Sequence, residues 1–250
     1  MSHYLVLLLL APLLALQGLY VRRTSLVLPE AAGERAGSIG KGEKLKVLIA
    51  GDSAAAGVGV DNQERALTGY LTRELAKEHC VTWALIAKSG SNTHDLIQHL
   101  SKVKGDKFDV VLLSLGVNDV LTPLSASKWQ GQLGQLTQVL HHEFGAKQVW
   151  FTSVPPMERF PLLPQPLRWF LGRRAQEFNR ALTAYVEQDE CCGLVDLSIY
   201  VPKRDPYSSK SVEVSAMAAD GFHPDESLYQ LWGSSAARVI DKQIKLNSVA

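Results

Sequence analysis

The chain is poor in the features that mark several large classes of protein. Cysteine occurs three times, at Cys80, Cys191 and Cys192. An odd count without regular spacing argues against a disulfide framework and against a metal knuckle, and the three read as small core or surface residues. No spacing of His and Cys suits zinc, and His141-His142 reads as the wet end of a helix. No metal and no cofactor are expected. Charge of one sign is lacking as well. The formal net charge is +1, and no run of Lys and Arg interleaves with aromatic residues, so nucleic acid is not an expected partner. There is no internal repeat.

What is present is apolar mass, 46% of 250 residues, enough for one α/β domain with a short extra segment. Residues 4–20 are almost continuously apolar and Arg22 and Arg23 follow at once. That length sits at the lower limit for a spanning helix, roughly 17 residues. No basic residue precedes the run and no small-x-small site closes it. A membrane segment over residues 1–23 is therefore expected ahead of a cleaved signal peptide or a helix buried in the fold. Arg22, Arg23, Arg35, Lys41 and Lys44 all follow the span, which by the positive-inside tendency places the remainder on the cytoplasmic face. Cleavage would place it in the periplasm or outside the cell. Residues 24–45, with Pro29, Gly33, Gly37, Gly40 and Gly42 among small and charged residues, read as a flexible tether.

From there on, short apolar runs alternate with amphipathic stretches. Strands are expected at 47–50, 81–87, 108–115, 147–153 and 194–197, and helices at 65–79, 93–103, 125–144, 167–190 and 226–245. Continuous apolar runs suit strands buried on both faces. The expected fold is a three-layer α/β/α doubly wound domain over residues 46–250, with a flavodoxin-like, parallel, five-stranded sheet. In such sheets ligands sit outside the carboxyl ends of the strands.

Four short motifs fall where that edge should lie. Gly51-Asp52-Ser53 follows the first expected strand, Ser89-Gly90 the second and Gly116-Val117-Asn118-Asp119 the third. Asp220-Gly221-Phe222-His223-Pro224 precedes the last helix. A serine hydroxyl is a poor nucleophile, so acyl transfer needs an imidazole to take its proton, a carboxylate to hold the imidazole, and donors for the oxyanion. Each motif alone has a plain reading. Asp and Ser are common helix caps, Asn-Asp can form an Asx turn, Ser-Gly can be a loop, and Asp-Gly can be a turn. Asp220 reaches His223 if the segment is a tight turn with Pro224 as the first helical residue. The Gly-x-Ser-x-Gly elbow of α/β-hydrolases is absent around Ser53.

These four blocks, in this order, resemble the SGNH/GDSL hydrolase family over residues 47 to about 232. The residues after Ser53 look most like its branch of lysophospholipase-like and acyl-ester hydrolases. The resemblance implies Ser53 as nucleophile, His223 as base and Asp220 as its support, with Ser53 and Gly90 backbone N–H groups and the Asn118 side chain as oxyanion donors. Asp52 and Asp119 are assigned to structure. Residues 154–170 hold five prolines and many apolar side chains. They are expected either to pack on the following helix or to form an acyl-chain wall or a membrane-contacting lip. The substrate implied is an acyl ester, lipid-like esters such as lysophospholipids included. Two other readings are a carbohydrate O-acetylesterase and a non-catalytic flavodoxin-like domain whose 53–59 loop cradles a phosphate at a helix N-terminus.

Overall fold

The computed structural model of the chain describes residues 2–103, 106–197 and 217–247. In chain order its elements are α1 (Ser2–Thr24), β1 (Ala36–Ile39), β2 (Glu43–Gly51), α2 (Leu67–Leu75), β3 (His79–Ala87), α3 (Thr93–Leu100), β4 (Val110–Ser114), α4 (Val117–Val120), α5 (Ala126–Phe144), β5 (Gln148–Thr152), α6 (Leu167–Val186), β6 (Cys192–Val195) and α7 (Glu226–Asn247). One six-stranded sheet runs in the order β1-β3-β2-β4-β5-β6. The five strands β2 to β6 are mutually parallel, and β1 is antiparallel to β3 at the edge.

Alternation along the strands sorts side chains into two cores, because successive residues of a strand point to opposite faces. On β2, Leu45, Val47 and Ile49 face one way and pack with Leu67, Leu71 and Leu75 of α2 and with Tyr229, Trp232 and Ile240 of α7. Leu48 and Ala50 face the other way, into a core built by Leu96 and Leu100 of α3, Leu133 and Leu140 of α5, and Phe178 of α6. Strands buried on both faces must be apolar throughout, and β4 (Val-Val-Leu-Leu-Ser) is buried at every position. Each fully buried Leu or Val contributes about 1.5–3 kcal/mol to this arrangement.

Two expectations are corrected. The sheet has six strands rather than five, the extra one being β1. It comes from the segment expected as a tether, so residues 24–45 are not a free linker. Ala36, Gly37, Ser38 and Ile39 pair with Ala84, Trp83, Thr82 and Val81. Just before it, Ala31 is buried and Ala32 bridges to Asn62. Composition misled because this stretch is ordered by backbone hydrogen bonds to an open sheet edge, which need no apolar side chains.

The second correction concerns the N-terminus. Among the described residues no helix is long and apolar enough to cross a membrane, so the membrane segment expected at 1–23 finds no support there. The side chains of residues 1–9 lie outside the described residues. Further along α1, Leu14 joins the core that holds Leu163, Leu167 and Leu171. Gln17 donates to the Gln165 carbonyl at 2.7 Å and accepts from the Leu167 N–H at 3.0 Å. The carboxamide thereby satisfies a backbone donor at the start of α6 that the helix itself leaves unpaired.

Candidate active site

The motif after β2 is shaped by a close approach of two backbones. A Cβ at Gly51, whose φ is +156°, would stand 2.0 Å from the Ser114 carbonyl oxygen of β4. Glycine alone fits, and the Asp52 N–H then donates to that same carbonyl at 3.1 Å. The chain beyond does not enter a long helix. Residues 52–59 form successive turns, closed by Ala56 N–H to Asp52 O, Gly57 N–H to Ala54 O and Val58 N–H to Ser53 O. Those three donors are committed within the loop and are not available to a phosphate.

Asp52 is buried. Its Oδ1 accepts from the Ala54 N–H at 3.0 Å and from the Ser114 hydroxyl at 3.4 Å. Burial pushes its carboxyl up to about 7, against the lowering effect of the Ala54 bond and of His223. The structural assignment of Asp52 matches these contacts, since it ties the serine turn to the end of β4.

At the far end of the chain, Asp220 builds the turn that presents His223. Its Oδ1 accepts the backbone N–H groups of Phe222 and His223, each at 3.0 Å. Its Oδ2 lies 2.5 Å from His223 Nδ1. His223 Nε2 in turn lies 2.9 Å from Ser53 Oγ. Residues 170 apart in sequence thus form one hydrogen-bonded chain. Burial pushes the Asp220 carboxyl up, but the His223 ring and the two backbone donors outweigh it and hold the carboxyl below its usual range. An ionised Asp220 keeps the proton on Nδ1 and leaves the Nε2 lone pair facing Ser53. Pro224, expected as the first helical residue, lies outside α7, which begins at Glu226. It bridges to Met217, and Asp225 caps α7 through the Leu228 N–H at 3.0 Å.

The remaining predicted residues follow the two strands that neighbour β2, Gly90 after β3 and Asn118 after β4. Gly90 has a φ of +81° and sits third in a turn closed by Ser91 N–H to Lys88 O. Of the donors there, Ser89 N–H goes to Glu30 and Ser91 N–H to Lys88. Among the described residues, the N–H groups of Gly90 and Ser53 reach no acceptor. Asn118, on the single turn of α4, donates from Nδ2 to the Ser91 carbonyl at 2.9 Å, leaving its second amide hydrogen uncommitted. Asp119 points away into the core, where it accepts from the Thr93 N–H and hydroxyl. Burial raises its carboxyl above the usual range. The Thr93 hydroxyl also accepts from Trp129 Nε1 at 2.8 Å, so Asp119 fastens the start of α3 to α4, contacts that suit the structural role expected of it.

Beside Ser53 and His223 lies a small cavity of about 50 Å³ with a largely apolar lining that includes Leu115, Val117, Phe160, Phe222, Leu228 and Trp232. The proline-rich segment packs on the core, and two of its residues also reach the cavity. Met157, Phe160 and Leu163 are buried against the core that includes α6, while Pro155 and Phe160 line the cavity. Phe160 meets Phe222 edge to face, with ring centroids 5.1 Å apart. Two residues near the site were not foreseen. Glu30 and Arg35, from the supposed tether, hold the Gly90 turn through Ser89 and Ala87. Their contacts span more than fifty residues, and no local pattern signals them. Among the described residues no group of three or more His, Cys, Asp or Glu side chains could hold a metal ion.

A family model described as the GDSL-like lipase/acylhydrolase family matches residues 49–231. Among solved structures, the chain is similar to a lipase from a goat rumen metagenome at 20% identity, covering 78% of this chain and 96% of that one with a TM-score of 0.60. It is similar to the native aryl esterase of M. smegmatis at 19% identity, covering 79% and 99% with a TM-score of 0.59. A carbohydrate acetylesterase from Sinorhizobium meliloti is 18% identical, covering 80% and 100% with a TM-score of 0.56. No curated protein matches the chain. At these identities the likeness to solved structures shows a shared fold.

Proposed function

The chain belongs to the GDSL-like lipase/acylhydrolase family, and from that premise we propose that it hydrolyses carboxylic esters through an acyl-enzyme on Ser53. The observation that carries this reading is the chain from Ser53 Oγ to His223 Nε2 at 2.9 Å and from His223 Nδ1 to Asp220 at 2.5 Å.

Ser53 Oγ attacks the ester carbonyl carbon as His223 Nε2 takes its proton. The carbonyl oxygen becomes an oxyanion, and the free N–H groups of Ser53 and Gly90 and the spare Asn118 amide hydrogen are the donors available to it. The intermediate collapses as its bond to the alcohol oxygen breaks, and His223 returns the proton to the departing alcohol. Water then repeats the sequence on the acyl-enzyme, with His223 taking one proton and Ser53 regaining its own, and the carboxylic acid leaves. Asp220 stabilises the imidazolium at each half-reaction without being protonated itself.

The acyl group takes the apolar cavity beside the serine. A volume of about 50 Å³ suits a short acyl chain, so the longer chain of a lipid-like ester or lysophospholipid would extend past it. The same small volume favours a second reading, acetyl esters of carbohydrates. A panel of acetyl, butyryl and long-chain acyl esters and an acetylated sugar separates the two by kcat/KM. The serine mechanism itself is tested with a fluorophosphonate probe. Covalent labelling at Ser53 that disappears in Ser53→Ala is expected. An unlabelled but folded wild-type protein would remove Ser53 from the mechanism.

A further inference from the structure

We propose that residues 30–35 are a brace that sets the nucleophile turn and the Gly90 turn relative to each other, with Glu30 and Arg35 as positioning residues for the oxyanion donors. The inference rests on the hydrolase reading above.

The brace grips both loops. On the nucleophile side, the Ala31 N–H donates to Ala56 O at 3.2 Å and the Ala32 N–H to Asp61 O at 3.0 Å. Buried Gln63 locks this junction, donating from Nε2 to Ala31 O at 3.1 Å and to Ala56 O at 2.9 Å. On the other side, Glu30 Oε1 accepts the Ser89 N–H at 2.7 Å. Glu30 Oε2 pairs with Arg35 Nη2 at 2.5 Å, and Arg35 Nη1 donates to Ala87 O at 2.7 Å. The Leu85 N–H donates to Arg35 O at 2.7 Å, which anchors the brace on β3.

Its two ends are held, by the Lys88 N–H donating to Gly51 O at 3.2 Å and by Asn118 Nδ2 donating to Ser91 O at 2.9 Å, but the tip of the Gly90 turn between them is open. A Cβ built at Gly90 would meet nothing within 4 Å, and Ser89 and Gly90 are exposed. An oxyanion donor acts only if it is held where charge develops, and the direction of the Gly90 N–H is set by the peptide that joins it to Ser89. Glu30 fixes the Ser89 N–H with a charge-assisted bond, and Arg35 holds Glu30 against the end of β3. Burial pushes the Glu30 carboxyl up, but the Ser89 bonds and Arg35 outweigh it and keep the carboxyl below its usual range. It is therefore an anion at neutral pH. Both side chains are partly exposed, 32% for Glu30 and 40% for Arg35, and such ion pairs add little to global stability. Loss of the brace should therefore appear in turnover before it appears in unfolding.

The test is steady-state kinetics of the full chain on a 4-nitrophenyl acyl ester, with thermal unfolding run in parallel. Glu30→Ala should lower kcat by about 10- to 10²-fold, the scale of a misplaced catalytic group. KM should stay within about twofold, because the lost interaction is one made in the transition state. Glu30→Gln keeps an acceptor for the Ser89 N–H and should recover most of the loss. Arg35→Ala, which leaves that acceptor in place, should give a smaller loss of the same kind. In Asn118→Ala/Glu30→Ala the two losses should combine to less than their product, since both act on one oxyanion. Unchanged kcat in Glu30→Ala and Arg35→Ala overturns the brace and leaves the hydrolase reading standing. A loss that Glu30→Gln does not relieve, matched by a lowered melting temperature, also overturns it. A wild-type chain inactive on every ester overturns both.

Discussion

Asp220→Asn isolates what the carboxylate does for His223, because the structure shows which of its bonds an amide can keep. Oδ1 accepts two backbone N–H groups at 3.0 Å, and an amide oxygen placed there keeps both. The amide nitrogen then faces His223 Nδ1, where the carboxylate stood at 2.5 Å. Two donors cannot face each other, so Nδ1 must give up its proton and accept instead. The proton moves to Nε2, which then donates to Ser53 Oγ and can no longer take its hydrogen. Flipping the amide would restore the original tautomer but strand the two backbone donors, at about 1–3 kcal/mol each, so the flipped form stays minor. Wrong tautomer and lost charge together should lower kcat by about 10⁴-fold, or about 5.5 kcal/mol of barrier.

The assay is hydrolysis of a chromogenic acyl ester beside thermal unfolding. The variant should melt close to the wild type near neutral pH, with a modest deficit from the lost charge. The sign of that deficit follows from the lowered carboxyl. Its contribution is complete above the unfolded value of about 3.9 and is lost as pH falls through the lower folded value, so wild type and variant should converge in strong acid. Asp220→Ala should be the less stable of the two variants, since it strands both backbone donors. A folded Asn variant that loses less than about tenfold in kcat would refute the argument that Asp220 sets the tautomer.

Ser53→Ala should remove up to about 10⁶-fold in kcat with unchanged unfolding, as measured on the same ester, because a small hydroxyl leaves and little packing goes with it. Asn118→Ala should lower kcat by about 10²–10³-fold with a far smaller change in KM, and an effect on KM alone would assign Asn118 to substrate binding. Asp52 has the opposite sign to Asp220. With its carboxyl raised to about 7, the fold holds a proton that the unfolded chain gives up near 3.9, so stability falls as pH rises between those values, by up to about 4 kcal/mol. Asp52→Asn should flatten that fall, read as urea unfolding free energies at pH 5 and pH 8, and a wild-type slope retained by the variant would show that another group is responsible.

The sequence by itself carried the layered α/β/α architecture and the separate pieces of the site. Strands buried on both faces must be apolar throughout, so 108–115 and 147–153 were legible as β4 and β5. The places of Gly51, Ser53, Asn118 and His223 at strand ends and before the last helix were legible from turn chemistry, while their roles came from the resemblance of the four blocks to the SGNH/GDSL family. Asp220 and His223 are three residues apart, and their contact was foreseeable from the tightness of a turn. That His223 also reaches Ser53 could not be read from any local pattern, since it depends on α7 packing beside β2 through Tyr229 and Trp232.

Only the tertiary structure decided the fate of residues 24–45, where backbone pairing to the β3 edge creates order that a composition of glycine and charge does not announce. It also decided that Glu30 and Arg35 stand at the Gly90 turn, because a contact spanning more than fifty residues leaves no trace in the spacing of either partner. Periodicity records what a residue must do for its own element. The approach of one loop to another depends on how every element between them packs.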